Sequence, residues 1–331
     1  MSCTVPVAVA PTILIPSAVT AEIQFTPNPA SSGSINPLLV YIFTEHTGTV
    51  KSLAFSPDSK ILASGGSQND GIIRLWNMNT GKRAAIFRKA QKTAVESLLI
   101  SPDSQTLASC SDDHTINIWN WNLKNKKYIF TRSFVGHTSN VLSLAITPDS
   151  KILVSGAQDG IRLWDMVQQR PLATLVRFDN IDAVAISPDG QLLASGDNKG
   201  LMKLWDLRSG KLIRTVSAHS DIVSAVAFTP DGNTLVSSSR DHTIKLWNVN
   251  TGELLRTLQE NNWVNAIAIN PSGQIIASGG KDGVKLWNLT TGELIDTLYA
   301  HSDWISAIAF SPDGKLLAAG GFDTRINIWR L

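Results

Sequence analysis

Short runs of alternating hydrophobic and polar residues recur along the chain, separated by polar turns rich in Gly, Pro, Asp and Ser. In the clearest run, Thr243 to Trp247, Ile244 and Leu246 alternate with polar neighbours before the Trp. A period of two predicts a half-buried β-strand. The same motif, a polar turn followed by a strand that ends in Trp, occurs seven times. Its last residue is Trp76, Trp119, Trp164, Trp205, Trp247, Trp287 or Trp329.

The seven tryptophans lie 40 to 45 residues apart, and all but the last are followed by Asn or Asp. This period and this ending are typical of a β-propeller built from WD repeats, with four strands in each blade. Over about residues 37–331 the sequence resembles the WD-repeat family, in the regular form of its bacterial members. The resemblance implies an all-β fold, a seven-bladed β-propeller with four antiparallel strands per blade.

The two ends of the repeat region are complementary fragments of one blade. The segment from Leu38 to His46 aligns with the outer strand of the last full repeat, and the chain stops at Leu331 after the inner strands of a blade. We therefore predict that an N-terminal strand closes the last blade, which removes open sheet edges. The predicted domains are an extended Pro/Ser-rich arm at residues 1–36 and a propeller at residues 37–331.

Composition argues against several classes of function. The formal net charge is +2, which is too small to favour binding to nucleic acid or to an anionic membrane by electrostatic steering. Prolines interrupt the apolar part of the arm, so we expect no membrane span; a membrane or export role for the arm is the alternative. Two cysteines, Cys3 and Cys110, give no disulfide framework, and we expect a cytoplasmic protein. We expect no cofactor.

Three repeats carry a His, a Ser and an Asp that could be mistaken for a catalytic triad. The spacing argues against catalysis, since an enzyme needs one such site and not three copies around a ring. The resemblance implies instead a buried network that runs from Trp through Ser and His to Asp. The predicted network residues are His46, Ser64, Asp70 and Trp76; His137, Ser155, Asp159 and Trp164; and His219, Ser237, Asp241 and Trp247.

Four repeats depart from this set, and we predict that their blades are looser. The departures are Gln91 at the His position in blade 2, Arg177 and Lys199 at the His and Asp positions in blade 4, Glu260 at the His position in blade 6 and Ala319 at the Ser position in blade 7. A stabilising device tolerates such losses, whereas a catalytic site does not. We predict no catalytic residue and no metal site.

The face that carries the His and Asp turns is the partner-binding face that the resemblance implies. Large apolar and basic residues there concentrate in blades 5 to 7, and two acids lie just inside the rim of the channel. The predicted partner-binding residues are Ile222, Trp263, Trp304, Phe322, Arg240, Lys281, Asp182 and Glu96. Trp and Arg are common interface anchors, and the two cations favour an acidic or mixed partner segment. The alternative is that the aromatics fold inward between blades.

The sequence therefore predicts a non-enzymatic scaffold or adaptor that binds proteins or peptides, as a monomeric propeller within a larger complex. A propeller enzyme or ligand-binding protein that uses the central channel is the alternative. A basic loop at Lys124, Lys126 and Lys127 is a weaker candidate contact.

Overall fold

The computed structural model describes residues 36–88 and 91–331, and this part of the chain folds into 28 β-strands with no helix. The arm predicted for residues 1–36 lies outside the described residues apart from Asn36. The strands of the first half are β1 (Leu38–Phe43), β2 (Val50–Phe55), β3 (Ile61–Gly66), β4 (Ile73–Asn77), β5 (Lys82–Phe87), β6 (Val95–Ile100), β7 (Thr106–Ser111), β8 (Thr115–Asn122), β9 (Lys127–Val135), β10 (Val141–Ile146), β11 (Ile152–Ala157), β12 (Gly160–Asp165), β13 (Arg170–Arg177) and β14 (Ile181–Ile186).

The strands of the second half repeat the same four-strand unit. They are β15 (Leu192–Asp197), β16 (Leu201–Asp206), β17 (Leu212–Ser217), β18 (Val223–Phe228), β19 (Thr234–Ser239), β20 (Thr243–Asn248), β21 (Leu254–Gln259), β22 (Ala266–Ile269), β23 (Ile275–Gly280), β24 (Gly283–Asn288), β25 (Leu294–Leu298), β26 (Ile305–Phe310), β27 (Leu316–Gly321) and β28 (Ile326–Arg330).

The strands form seven antiparallel sheets of four. Blades 1 to 6 are β2–β5, β6–β9, β10–β13, β14–β17, β18–β21 and β22–β25, each in sequence order from the centre outwards. Blade 7 has the order β1-β28-β27-β26. The predicted seven-bladed all-β fold is therefore confirmed.

The turn between the first two strands of a blade is fixed by its own side chains. In blade 1 the Ser56 hydroxyl donates to Asp58 Oδ1 at 2.6 Å and accepts from the Ile61 amide at 2.9 Å. Pro57 lies between them, where its fixed φ suits the turn. The same Ser/Thr-Pro-Asp arrangement recurs in five other blades, so these turns set the strand register locally.

The ring closes where the N-terminal strand β1 pairs antiparallel with the C-terminal strand β28, with Leu39 opposite Trp329. The innermost strands β26 and β2 also contact each other across this junction. The Ser306 hydroxyl donates to the Val50 carbonyl at 2.6 Å, and the Asp313 amide donates to the Ser59 hydroxyl at 3.1 Å. The predicted closure of the last blade by the N-terminal strand is thus confirmed.

The hydrophobic core lies between neighbouring blades. The repeated Trp of each third strand packs against the preceding blade; Trp164, for example, stacks on Phe134 of β9 with ring centroids 5.0 Å apart. Because every blade needs a neighbour to cover its Trp, the seven clusters form one continuous ring of apolar packing. Within the described residues, no helix is long and apolar enough to cross a membrane.

Candidate interaction site

The structure brings the three predicted His, Ser, Asp and Trp sets together at one end of blades 1, 3 and 5. In blade 5 the Trp247 indole N–H donates to Ser237 Oγ at 2.9 Å. Ser237 Oγ lies 2.7 Å from His219 Nε2, and His219 Nδ1 lies 2.9 Å from Asp241 Oδ2. Trp164 and Ser155 with His137 and Asp159, and Trp76 and Ser64 with His46 and Asp70, repeat this chain of contacts.

The electrostatics of these sets keep the histidine neutral and the aspartate charged. Burial lowers the pKa of His46, His137 and His219, and the hydrogen bond to Asp only partly offsets this effect. Burial opposes ionisation of Asp241, but bonds from Thr243, His219 and the Ser220 amide outweigh it, so its pKa is lowered. The Ser237 hydroxyl is fully buried and also accepts the Trp247 indole N–H, so it is not placed to attack a substrate as the serine of a catalytic triad does.

In blades 2 and 6 the residue at the His position makes equivalent contacts. Gln91 Nε2 donates to Ser109 Oγ at 2.8 Å in blade 2. In blade 6 the Ser278 hydroxyl donates to Glu260 Oε1 at 2.6 Å, and Lys285 forms an ion pair with the same carboxylate. Blades 2 and 6 thus replace the His-centred network with other hydrogen bonds and an ion pair. The reason for predicting that they are looser than blades 1, 3 and 5 is therefore weaker.

Blades 4 and 7 differ more. Arg177 and Lys199 are exposed, and the space near the His position of blade 4 is taken by an Asp179–Lys203 ion pair. In blade 7 His301 keeps Asp323 at 2.9 Å, but its Nε2 lies 3.2 Å from the Ala319 carbonyl in place of a serine hydroxyl.

A further polar position, two residues before each Trp, was missed by the sequence reasoning. Its side chain points to the His position of its own blade; Lys245 Nζ, for example, donates to the Ala218 carbonyl at 2.6 Å, and Asn117 donates to Gln91 at 2.8 Å. The seven residues are Arg74, Asn117, Arg162, Lys203, Lys245, Lys285 and Asn327. Their fixed position two residues before each Trp is visible in the sequence. However, any strand with one solvated face also has polar residues at alternate positions, so this spacing alone does not indicate a buried contact.

The predicted partner-binding residues lie at the end of the ring that holds these networks. The start of each inner strand and the end of the second strand meet at this end, because the two strands are antiparallel. The Arg240 amide donates to the Ile222 carbonyl at 3.2 Å, and the Phe322 amide donates to the Trp304 carbonyl at 2.8 Å. Residues 18 positions apart in sequence are thus side by side.

Four of these side chains form one row across blades 5 to 7. The Trp263 and Trp304 ring centroids lie 5.5 Å apart with planes 35° apart. Arg240 lies over the Trp263 ring at 5.1 Å, and Lys281 lies 6.0 Å from the Trp304 ring. Each such cation–π contact contributes about 0.5–1 kcal/mol at an exposed site.

The row remains open to solvent. Trp263 is 44% exposed and Phe322 is 47% exposed, so these rings do not fill the gaps between blades. Trp304 and Ile222 are partly buried. We call the surface formed by Ile222, Arg240, Trp263, Lys281, Trp304 and Phe322 the aromatic patch.

Glycines hold the loops of the aromatic patch close to their neighbouring turns. A Cβ at Gly280 would lie 2.7 Å from the Trp263 carbonyl oxygen, and a Cβ at Gly321 would lie 2.8 Å from that of Trp304. Both clashes are with backbone, which cannot move aside as a side-chain tip can. The placement of the two tryptophans therefore depends on glycine at both positions.

Asp182 and Glu96 lie apart from the aromatic patch, in the wall of the central channel. The channel encloses about 210 Å³ and is lined by the innermost strands of all seven blades. Glu96 forms an ion pair with Lys51 at 3.1 Å. Burial raises the pKa of Asp182 to about 6, against the opposing charge of Arg240, and its buried Oδ2 has no hydrogen-bond partner in the described structure.

Within residues 36–88 and 91–331, no group of three or more His, Cys, Asp or Glu side chains is arranged to hold a metal ion. His114 and His242 lie in turns with left-handed backbone (φ 69° and 68°).

The chain belongs to the WD domain, G-beta repeat family. The match covers seven consecutive segments, at residues 38–77, 81–120, 128–165, 169–206, 210–248, 252–288 and 292–330. Each segment begins at the outer strand of one blade and ends just after the Trp of the next blade. The repeat in sequence is therefore shifted by one strand from the blade in space, and the same shift leaves β1 to complete blade 7.

Curated relatives include proteins named for the cell division cycle and for the anaphase-promoting complex. The chain is 28% identical over 159 residues to Protein FIZZY-RELATED 3 of Arabidopsis thaliana, covering 45% of this chain and 32% of the relative. It is 33% identical over 148 residues to Cell division cycle 20.6, cofactor of APC complex, of the same plant, covering 44% and 34%. Anaphase-promoting complex subunit cdh1 of Dictyostelium discoideum is 27% identical over 129 residues, covering 38% and 17%. The match thus spans between 17% and 34% of the length of these relatives.

Proposed function

We propose that this propeller is a non-enzymatic adaptor that binds a protein or peptide segment on the aromatic patch across blades 5 to 7. The observation that carries the proposal is the exposed row Arg240, Trp263, Trp304 and Lys281. Two adjacent indoles offer a broad apolar anchor, and Trp and Arg are the residues most often found at interface hot spots.

The chemistry of the row favours a partner segment with an apolar side chain flanked by carboxylates. A guanidinium that stacks on an indole keeps its N–H edge free to donate to a carboxylate. Arg240 and Lys281 are exposed, and neither forms an ion pair with another described residue. The two cations therefore lie over the two indole rings of one apolar surface, where a short acidic-apolar peptide can reach both.

The names of the relatives support a role in protein assembly. One is called a cofactor of the APC complex and another an anaphase-promoting complex subunit. We extend from them only the general role of binding other proteins, since function resides in sites and not in the fold. We also propose, as expected from composition, that this adaptor works in the cytoplasm as a monomeric propeller within a larger complex.

A library of displayed peptides provides the direct test. We expect the full chain to enrich peptides with Asp or Glu beside a large apolar residue. The variant Trp263→Ala/Trp304→Ala should lose this enrichment, and Arg240→Glu/Lys281→Glu should lose the acidic preference. The matched control is Leu254→Ala/Leu294→Ala, which removes two exposed apolar side chains on the outer strands. Enrichment that survives in the double Trp variant, with all chains melting cooperatively, would place the site elsewhere.

The alternative, an enzyme or ligand-binding protein that uses the central channel, rests on one observation. Asp182 is a desolvated carboxylate in the channel wall. The other acid there, Glu96, is held by Lys51, and the two acids come from blades 2 and 4. A general acid and a general base must both reach one bound substrate, and the ion pair with Lys51 holds Glu96 out of that role, so we favour the adaptor.

A further inference from the structure

The face opposite the aromatic patch carries a charge asymmetry at one repeated position. In blades 1 to 6 a turn joins the third strand to the fourth. An Asn or Asp stands at the start of this turn, and the residue opposite it closes the turn, as Lys82 does opposite Asn77 in blade 1. The closing residues in blade order are Lys82, Lys127, Arg170, Lys211, Glu253 and Glu293. The same place in the repeat is therefore cationic in blades 1 to 4 and anionic in blades 5 and 6.

Blade 2 carries this turn further out than its neighbours. Strands β8 and β9 continue for two pairs beyond Asn120, through Trp121 opposite Tyr128 and Asn122 opposite Lys127. Two extra residues per strand lengthen the hairpin by about 7 Å. The tip of this hairpin thus stands clear of the Ser/Thr-Pro-Asp turns, whose carboxylates lie nearer the channel on the same face.

The extended hairpin is a rigid element. The Trp121 and Tyr128 rings make an edge-to-face contact at 5.1 Å, and the Tyr128 hydroxyl donates to the Ser104 carbonyl at 3.0 Å. Asn122 Oδ1 accepts the Asn125 amide at 2.9 Å, which fixes the turn itself. A basic segment that is held by ring packing and strand pairing is presented in one orientation, unlike a solvated loop.

Apolar side chains lie at the tips between these cations. Leu123 is 79% exposed at the tip of the extended hairpin, beside the exposed Lys124, Lys126 and Lys127. In the next blade Val167 is 73% exposed at the tip of the corresponding turn, which Arg170 closes. Arg132 of β9 donates to the Gln169 carbonyl, so the turn of blade 3 lies against the side of strand β9 in blade 2.

We propose that the turns of blades 2 and 3 dock the propeller onto an anionic lipid bilayer, with Leu123 and Val167 inserted among the acyl chains and the cations against the head groups. Cations beside an anionic leaflet contribute about 1 kcal/mol each, and an apolar tip adds the burial of its side chain. A nucleic acid would use the charges but gives no reason for the exposed apolar tips. An acidic protein segment is the other candidate occupant, and a comparison of vesicles with poly-glutamate separates it from a bilayer.

This surface and the aromatic patch lie on opposite faces, so a docked propeller leaves the aromatic patch directed to the solution. Of the cations Lys124, Lys126, Lys127 and Arg170, none forms an ion pair with another residue in the described ranges. Their charge is therefore free to attract an anionic surface.

Flotation of the full chain with vesicles tests the proposal. Vesicles of phosphatidylcholine mixed with phosphatidylserine should carry the protein upwards at low salt, and vesicles of phosphatidylcholine alone should not. Lys124→Gln/Lys126→Gln/Lys127→Gln should weaken the vesicle affinity about fivefold per cation, or roughly 100-fold in all. Leu123→Ser should weaken it about tenfold.

The matched control, Lys92→Gln/Arg177→Gln/Lys199→Gln, removes the same charge from exposed basic residues on the opposite face and should leave flotation unchanged. Absence of flotation with the phosphatidylserine vesicles would overturn the proposal, as would equal flotation of wild type and both hairpin variants. So would binding to soluble poly-glutamate as tight as to vesicles and unaffected by Leu123→Ser, because that result assigns the surface to an acidic macromolecule.

Discussion

Phe43 stacks on Trp76 with ring centroids 4.2 Å apart and planes 7° apart. Phe43 belongs to β1, the strand that completes blade 7, whereas Trp76 belongs to the third strand of blade 1. The N-terminal strand therefore holds the ring closed in two ways, by pairing with β28 and by covering the Trp of the next blade.

We expect Phe43→Ala to lower the free energy of unfolding by about 3–5 kcal/mol, since it removes a buried ring from this contact. Denaturant unfolding provides the measurement. The matched control is Phe134→Ala, which breaks the equivalent stack on Trp164 within the continuous part of the chain. A loss for Phe43→Ala far below that for Phe134→Ala would mean that β1 does not close the ring in solution.

The fold could be predicted from the sequence because the same signal is repeated seven times. Each Trp marks a third strand and each Ser/Thr-Pro-Asp turn marks the end of a first strand, so errors in one repeat are corrected by the others. The closure by β1 could also be predicted from the repeat spacing. The sequence has an outer strand before the first repeat and lacks an outer strand after the last one, so the two ends complete a single blade.

The candidate site could be predicted only in part. The positions that flank each inner strand were found by spacing, but spacing does not give the direction of a side chain. The stack of Arg240 on Trp263 depends on rotamers, and the Asp179–Lys203 pair of blade 4 depends on a loop that departs from the repeat. Neither contact has a sequence signature.

The serine of the buried network can be tested by exchanging it between blades. Ser237→Ala leaves the Trp247 indole N–H and His219 Nε2 without their partner, so we expect a loss of about 1–3 kcal/mol in unfolding free energy. The reverse change, Ala319→Ser, supplies a hydroxyl between His301 and Trp329 and should stabilise by about 1 kcal/mol. Thermal and denaturant unfolding of both variants give the comparison. If both changes leave stability unaltered, the network does not brace the blades.

Acid should weaken the propeller through its buried histidines. Burial lowers the pKa of His46, His137 and His219 below the ordinary value of 6.5. The unfolded chain then binds protons that the folded chain does not, so stability is complete above 6.5 and declines as pH falls below it. The paired aspartates add a second loss at lower pH, below their ordinary value of 3.8.

A glutamine variant isolates the histidine contribution. His219→Gln copies the residue that blade 2 uses to bond its serine, and it does not titrate. We expect the decline in unfolding free energy between about pH 7 and pH 5 to be smaller in His219→Gln than in wild type, by on the order of 1 kcal/mol. Identical pH profiles would show that His219 is not the titrating group.

Asp182 should behave in the opposite sense to these histidines. Burial raises its pKa to about 6 from an ordinary 3.8, with Asp197 adding to the rise and Arg240 opposing it. Its contribution to stability is therefore present below pH 3.8 and is lost as pH rises through 6.

Asp182→Asn removes the desolvated charge, so it should stabilise the protein at about pH 7.5 by roughly 1 kcal/mol, after discounting for partial exposure. The gain should vanish near pH 4, where wild type is protonated. The difference in unfolding free energy between variant and wild type, measured at both pH values, gives the result. A destabilised Asp182→Asn at pH 7.5 would instead show that the carboxylate anchors Arg240 beside Trp263, and the aromatic patch would then depend on the channel wall.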